Sequence, residues 1–162
     1  MLRLRSVARI SFAFSILAAG ACGSDAPTAP APEAVIETTT FAAALNVNLA
    51  ASTKTTGGMY YRDLVVGTGA TVATGDSVFV HYTGWLSTGK QFDINVATQA
   101  PFPVKLGAGR VIQGWEIGLV GARVGGQRQL IIPPSLGYGP DDYSSIPGNS
   151  ILVFTVTIVS KK

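Results

Sequence analysis

The chain holds little with which to do thiol or metal chemistry. One cysteine, Cys22, and one histidine, His81, occur in its 162 residues. No internal disulfide can form, no second Cys or His stands near either residue to complete a zinc site, and a Cys/His enzyme has no spare thiol once Cys22 is assigned below. A Ser/His/Asp triad would have to use His81, which points opposite Tyr82 on a predicted strand and reads as packed or hydrogen-bonded. The glycines of "GTGATVATG" lack the "GK[ST]" and the opening helix of a phosphate loop, so they read as turns. Neither metal nor cofactor is expected.

Charge is scarce too, at 13% of residues, and the formal excess of +3 is misleading. Three of the 12 basic residues, Arg3, Arg5 and Arg9, precede an uncharged apolar run from Ile10 to Ala21. That run of 12 residues is too short to span a bilayer, which takes about 20, and the pattern is that of a signal peptide over 1–21. All nine acidic residues lie beyond it, so nine basic residues remain against nine acidic ones. No basic patch survives cleavage, and nucleic acid is not an expected partner.

Directly after the run, "LAAGAC" places Ala19, Gly20 and Ala21 before Cys22. This resembles a bacterial lipobox, with Ala19 where Leu is usual, and makes Cys22 a site of lipidation; the alternative is an ordinary secretory signal that leaves a free thiol. Gly23, rather than Asp, in the second mature position favours the outer membrane by the sorting rules of such lipoproteins. The expected location is the bacterial cell envelope, on the periplasmic side, with the lipid anchor as the sole membrane contact.

Residues 22–58 read as the lipid-attachment Cys and a flexible tether. "GSDAPTAPAPEAVIE" has no hydrophobic period, while Phe41, Leu45 and Leu49 recur at helical spacing and leave a short helix or an adhering strand open. A domain is expected over 59–162, where β-branched and aromatic runs alternate with glycine and proline. "MYYRDLVV", "SVFVHYTGWL", "QFDI", "GGQRQLIIPP" and "SILVFTVTIV" read as strands, and prolines bar helix around "PFPVKL". Mostly antiparallel strands with one short helix make an α+β fold.

That helix, "VIQGWEIGL", carries two glycines although each costs a helix interior about 1 kcal/mol relative to Ala. At 100° per residue, Val111, Ile112, Trp115 and Leu119 share one side and Gly114 and Gly118 lie along its edge, which lets the backbone approach a sheet. Trp115 is then pressed against the concave side of the sheet as the floor of a cavity.

"HYTGWLSTGKQFD", "PFPVKLGAGRVIQGWEIGL" and "PPSLGYG", with the aromatics at strand ends and loops, resemble the FKBP-type peptidyl-prolyl cis-trans isomerases over roughly 59–162. The resemblance implies a half-wrapped antiparallel sheet of five to six strands around one short helix, with an apolar pocket between them. By motif it implies that Tyr82, Phe92, Phe102, Val111, Ile112, Trp115, Ile146 and Phe154 bind substrate and that Asp93 and Tyr138 are catalytic. The Ile112 N–H and the Tyr138 hydroxyl are the implied donors to substrate carbonyls, and Asp93 acts electrostatically near the rotating amide.

Three positions depart from the best-known members. Thr98 stands where an Arg often pairs with the pocket Asp, Arg110 replaces an acidic residue, and Ser145 replaces an apolar one. The expected partners are X-Pro segments of exported proteins and macrolide inhibitors such as rapamycin, bound more weakly than in those members. The expected function is prolyl isomerisation; the alternative is a binding module that holds proline-containing segments without turning them over. A generic chaperone ranks last, because chaperone-like relatives carry an extra domain where Pro140 to Ser150 forms a short loop.

Overall fold

The alternation in "SVFVHYTGWL" becomes the strand around which the sheet is organised. The computed structural model describes residues 33–162; the expected signal peptide, Cys22 and the start of the tether lie outside the described residues. Seven strands pair antiparallel: β1 (Thr53–Lys54), β2 (Tyr60–Val65), β3 (Ser77–Leu86), β4 (Gln91–Asn95), β5 (Phe102–Lys105), β6 (Gln127–Ile132) and β7 (Leu152–Lys161). Their order is β1-β2-β6-β7-β3-β4, with β5 also against β3, and the sheet is not closed. This is the expected half-wrapped sheet with the two-residue β1 added at its edge.

β3 pairs with β7 from Val78 to Leu86. Its other edge is divided, with β5 against Ser77–Val80 and β4 against Tyr82–Trp85. Because successive side chains point to opposite faces, Val78, Val80 and Tyr82 join Leu130, Ile132, Leu152, Phe154 and Val156 on the inner face. Outward-facing His81 is held through Nδ1 against Asn95 Oδ1 at 2.7 Å, the structural role expected of it.

α1 (Gln113–Gly118) covers the inner face. It begins two residues later than the sequence pattern suggests, since Ile112 is extended (ψ 148°) and caps the helix. The glycines do what their placement implies. A Cβ on Gly114 would sit 2.5 Å from Ile132 Cγ2, and one on Gly118 would sit 2.7 Å from Met59 Cε and 2.8 Å from Leu130 Cδ2. Buried Arg128 ties the helix end to the sheet: it donates to the carbonyls of Gly118 and Val120 at 3.0 Å each and forks onto Asp63 at 2.6 and 2.9 Å.

The residues read as tether differ from that expectation within the described part. Between Ala34 and Ala51 the chain packs across the outer face of the sheet, with 3-10 turns at Ile36–Thr38, Ala43–Leu45 and Leu49–Ala51. Ile36 (2% exposed) and Leu45 (7%) form a second core with Tyr60, Ile131, Ile151 and Val153. Fully burying such a side chain contributes about 1.5–3 kcal/mol, enough to hold these irregular turns on the sheet; the helical spacing of Phe41, Leu45 and Leu49 produces neither an α-helix nor a strand. Polar pins add to this. Gln129 Nε2 donates to Leu45 O at 2.8 Å, and Lys54 and the Tyr60 hydroxyl both donate to Glu37, at 2.5 and 2.7 Å.

Candidate active site

The indole of Trp115, 4% exposed, lies at the bottom of a cavity of about 390 Å³. Three rings stand nearly perpendicular to it: Tyr82 (centroids 5.0 Å apart, 85°), Phe154 (5.3 Å, 85°) and Phe102 (6.5 Å, 86°). Edge-to-face contact is the favoured geometry of aromatic quadrupoles, worth about 0.5–1.5 kcal/mol per pair beyond burial. These contacts fix the walls without filling the space over the indole. Phe102, 39% exposed, forms part of the rim.

Each wall has a local reason for its position. Tyr82 is on the inner side of β3, Phe154 is its near neighbour on β7, and Phe102 opens β5 opposite Val80. The loop carrying Gly109, Arg110 and Val111 is pinned by Glu116, whose carboxylate accepts from the N–H groups of Gly107 and Gly109 at 2.5 and 2.9 Å. Across the mouth, the loop from Pro140 to Ser150 is folded on itself. Tyr143 and Ile146 exchange backbone hydrogen bonds of 2.9 Å, and Gly148 donates to Asp142 Oδ1 at 2.8 Å.

Polar groups are few and directed. Asp93 accepts from the Tyr82 hydroxyl at 2.8 Å and from the Ile94 N–H at 2.8 Å. Burial, and then the bond to Asp93, push the Tyr82 hydroxyl far above its ordinary range, so it remains a donor. Burial also raises Tyr138, with Tyr143 and Asp93 adding to the effect. Neither the Tyr138 hydroxyl nor the Ile112 N–H bonds to any described residue, while the Ile112 carbonyl starts the helix through Trp115 N at 2.9 Å.

The structure gathers Tyr82, Asp93, Phe102, Val111, Ile112, Trp115, Tyr138 and Phe154 around this one cavity. It places two of the named residues behind the wall. Phe92 stacks edge-on against Phe154 at 5.5 Å, filling the notch left by Gly84, and Ile146 is 5% exposed within the inner core. Conversely, Tyr143 was not singled out from the sequence, yet it lines the cavity and stacks on Tyr138 at 4.4 Å and 9°. As the sole aromatic between Pro140 and Ser150, it carried a signal that could have been read. Arg110, noted as a departure, proves to be a wall residue.

Known proteins resemble this chain in sequence and fold. A model of the family described as FKBP-type peptidyl-prolyl cis-trans isomerase matches residues 69–159. The FK506-binding protein 4 of Chaetomium thermophilum is 50% identical over 105 residues, which are 65% of this chain and 22% of that protein. The chain thus spans about a fifth of that relative's length. Among solved structures, FkpA from Escherichia coli superposes with a TM-score of 0.63 at 36% identity, covering 69% of this chain and 52% of that one. AtFKBP13 gives 0.62 at 32% identity, covering 68% and 98%. With more than half of its residues matched by the family model, the chain belongs to the FKBP-type peptidyl-prolyl cis-trans isomerases.

Proposed function

We propose that the protein accelerates cis-trans rotation about X-Pro bonds in exported proteins, and that it works by desolvating and orienting the amide. The supporting observation is the open, ring-walled space over Trp115, with the Asp93 carboxylate at its margin together with the Ile112 N–H and the Tyr138 hydroxyl, neither of which bonds to any described residue. An X-Pro bond resists rotation because resonance holds it planar, with a barrier of about 18–20 kcal/mol, and it interconverts unaided over tens of seconds or more. At the twisted transition state the resonance is lost and the amide is less dipolar. An apolar enclosure that sheds water therefore disfavours the planar ground state more than the twisted one.

A proline ring on the indole brings the substrate carbonyls towards the Ile112 N–H and the Tyr138 hydroxyl. Asp93, oriented by Tyr82, faces the rotating amide. A thousandfold acceleration needs only about 4 kcal/mol at 1.36 kcal/mol per decade, so neither a nucleophile nor a metal has to be invoked. Macrolides of the kind named in the FK506-binding relative are proposed to occupy the same cavity.

NMR exchange spectroscopy on a short X-Pro peptide tests this reading. Exchange well above the spontaneous rate is expected, and saturable binding with no acceleration would instead make the protein a holder of proline segments. The envelope location and lipidation at Cys22 belong to the same proposal and rest on the sequence pattern of residues 1–23. Mass spectrometry of the mature N-terminus is expected to find a diacylglycerol-modified Cys22; an unmodified chain would refute the anchor.

A further inference from the structure

Beside the prolyl cavity lies a second groove of about 370 Å³, between the β3–β5 edge and the loop before α1. Phe102, Arg110 and Val111 line both, so an extended peptide with its proline over Trp115 has neighbouring side chains within reach of this groove. Its remaining walls are Ser77, Phe79, Pro103, Val104 and Lys105, and it contains no carboxylate. Lys162 sits 5.6 Å from the centre of the Phe79 ring, adding a further cation nearby.

The charges here are unevenly committed. Lys105 donates to the Gly75 carbonyl at 2.5 Å and lies in the field of Asp76, which is itself bound to Lys161. Glu116, on the helix beside the shared loop, has both oxygens engaged by Gly107 and Gly109. Asp93 is held by Tyr82. Arg110 is exposed and has no ion pair or hydrogen bond with any described residue, although it stands at the junction of the two cavities. A guanidinium fork without a partner matches a carboxylate.

We infer that Arg110 is a specificity-determining residue that favours prolyl substrates bearing a Glu or Asp side chain within two residues of the proline, seated in the groove between Phe102 and Lys105. The inference rests on the reading of the main cavity as a prolyl site. An ion pair at so exposed a place is weak, and the expected preference is about two- to fivefold, falling as salt is raised.

The test uses the full chain and two sets of short peptides, identical except for Glu or its uncharged isostere Gln at each of the two positions on either side of a central proline. Chemical-shift titration gives the Glu-to-Gln ratio of Kd, and exchange spectroscopy the ratio of kcat/KM. At least one position is expected to favour Glu. That preference should vanish in Arg110→Gln, with both ratios near one, and reverse in Arg110→Glu, the Glu-to-Gln ratio of Kd rising above one and that of kcat/KM falling below it, with unchanged melting temperatures showing that the fold is kept. Equal affinity for Glu and Gln peptides at every position, or a preference that survives Arg110→Glu, overturns the inference. Binding without accelerated exchange would defeat the isomerase reading alone, because the Kd ratios still decide the role of Arg110.

Discussion

The Tyr82 hydroxyl donates to Asp93 Oδ2 at 2.8 Å across the β3–β4 pair, so the carboxylate at the rim is aimed by a ring that is itself part of the wall. With Thr98 where an Arg often pairs with the pocket Asp, the restraint on Asp93 comes from this tyrosine and from the Ile94 N–H. Tyr82→Phe keeps the ring and removes the aim. The expected result is a loss of about tenfold in kcat/KM, equivalent to 1.36 kcal/mol, with a melting temperature close to the parent's. An unchanged rate would show that the orientation of Asp93 does not matter to turnover.

The same tyrosines give an alkaline signature. Tyr82 and Tyr138 have their ionisation raised above the ordinary 10.0, chiefly by burial. A proton held more tightly in the folded state stabilises it below the unfolded value, and that contribution is lost as pH rises through the folded one. Urea unfolding is therefore expected to show no loss from these groups up to about pH 9 and a decline above about pH 10. The decline should be shallower in Tyr82→Phe. A slope identical in the parent and the variant would mean that Tyr82 is not buried as described.

Much of the fold was legible because the strands obey a period of two and their ends are marked by glycine and proline. Gly114 and Gly118 were readable as contact points because no other reason exists for glycine inside so short a helix. The outer-face packing of Ile36 and Leu45 was not legible. The spacing of Phe41, Leu45 and Leu49 suggests a helix that the short 3-10 turns do not form, and the apolar partners Ile131 and Val153 look in sequence like ordinary core positions. At the site, motif order located the rings, but whether a ring faces the cavity or backs it depends on packing. Phe92 and Asp93 are adjacent in sequence, and the carboxylate faces the cavity while the ring lies behind it.

Close approach of α1 to the sheet predicts an inverted propensity effect. Ala is favoured over Gly in a helix by about 1 kcal/mol, yet a methyl group at either glycine overlaps neighbouring side chains. Overpacking costs about 1–3 kcal/mol, so Gly114→Ala is expected to be net destabilising in chemical denaturation. Gly118→Ala should be milder, since the obstacles there, Met59 Cε and Leu130 Cδ2, are the far ends of their side chains, whereas the obstacle at Gly114 includes Cγ2 and Cγ1 of the β-branched Ile132. Exchange rates should fall further in Gly114→Ala, because displacing the helix moves Trp115 and the Ile112 N–H together. A stabilised Gly114→Ala would contradict the contact.

The N-terminal segment across the outer face predicts an effect on stability that is separable from catalysis. Ile36→Ala removes a 2%-exposed side chain from the core it shares with Ile131 and Val153, an expected loss of about 2–5 kcal/mol. The prolyl cavity opens on the inner face, so kcat/KM measured well below the melting temperature should stay near the parent value. Glu37 supplies a pH readout of the same packing. Its hydrogen bond from Lys54, and secondarily that from Tyr60, lower its carboxyl from the ordinary 4.5 to about 2. A depressed carboxyl stabilises the fold above its unfolded value and ceases to do so as pH falls through the folded one. Acid titration of stability should therefore drop between 4.5 and about 2 in the parent and less steeply in Glu37→Gln. If Ile36→Ala melts with the parent and Glu37→Gln leaves the acid limb unchanged, residues 34–51 do not hold the outer face in solution, and the domain begins near Met59 as its strand pattern alone suggests.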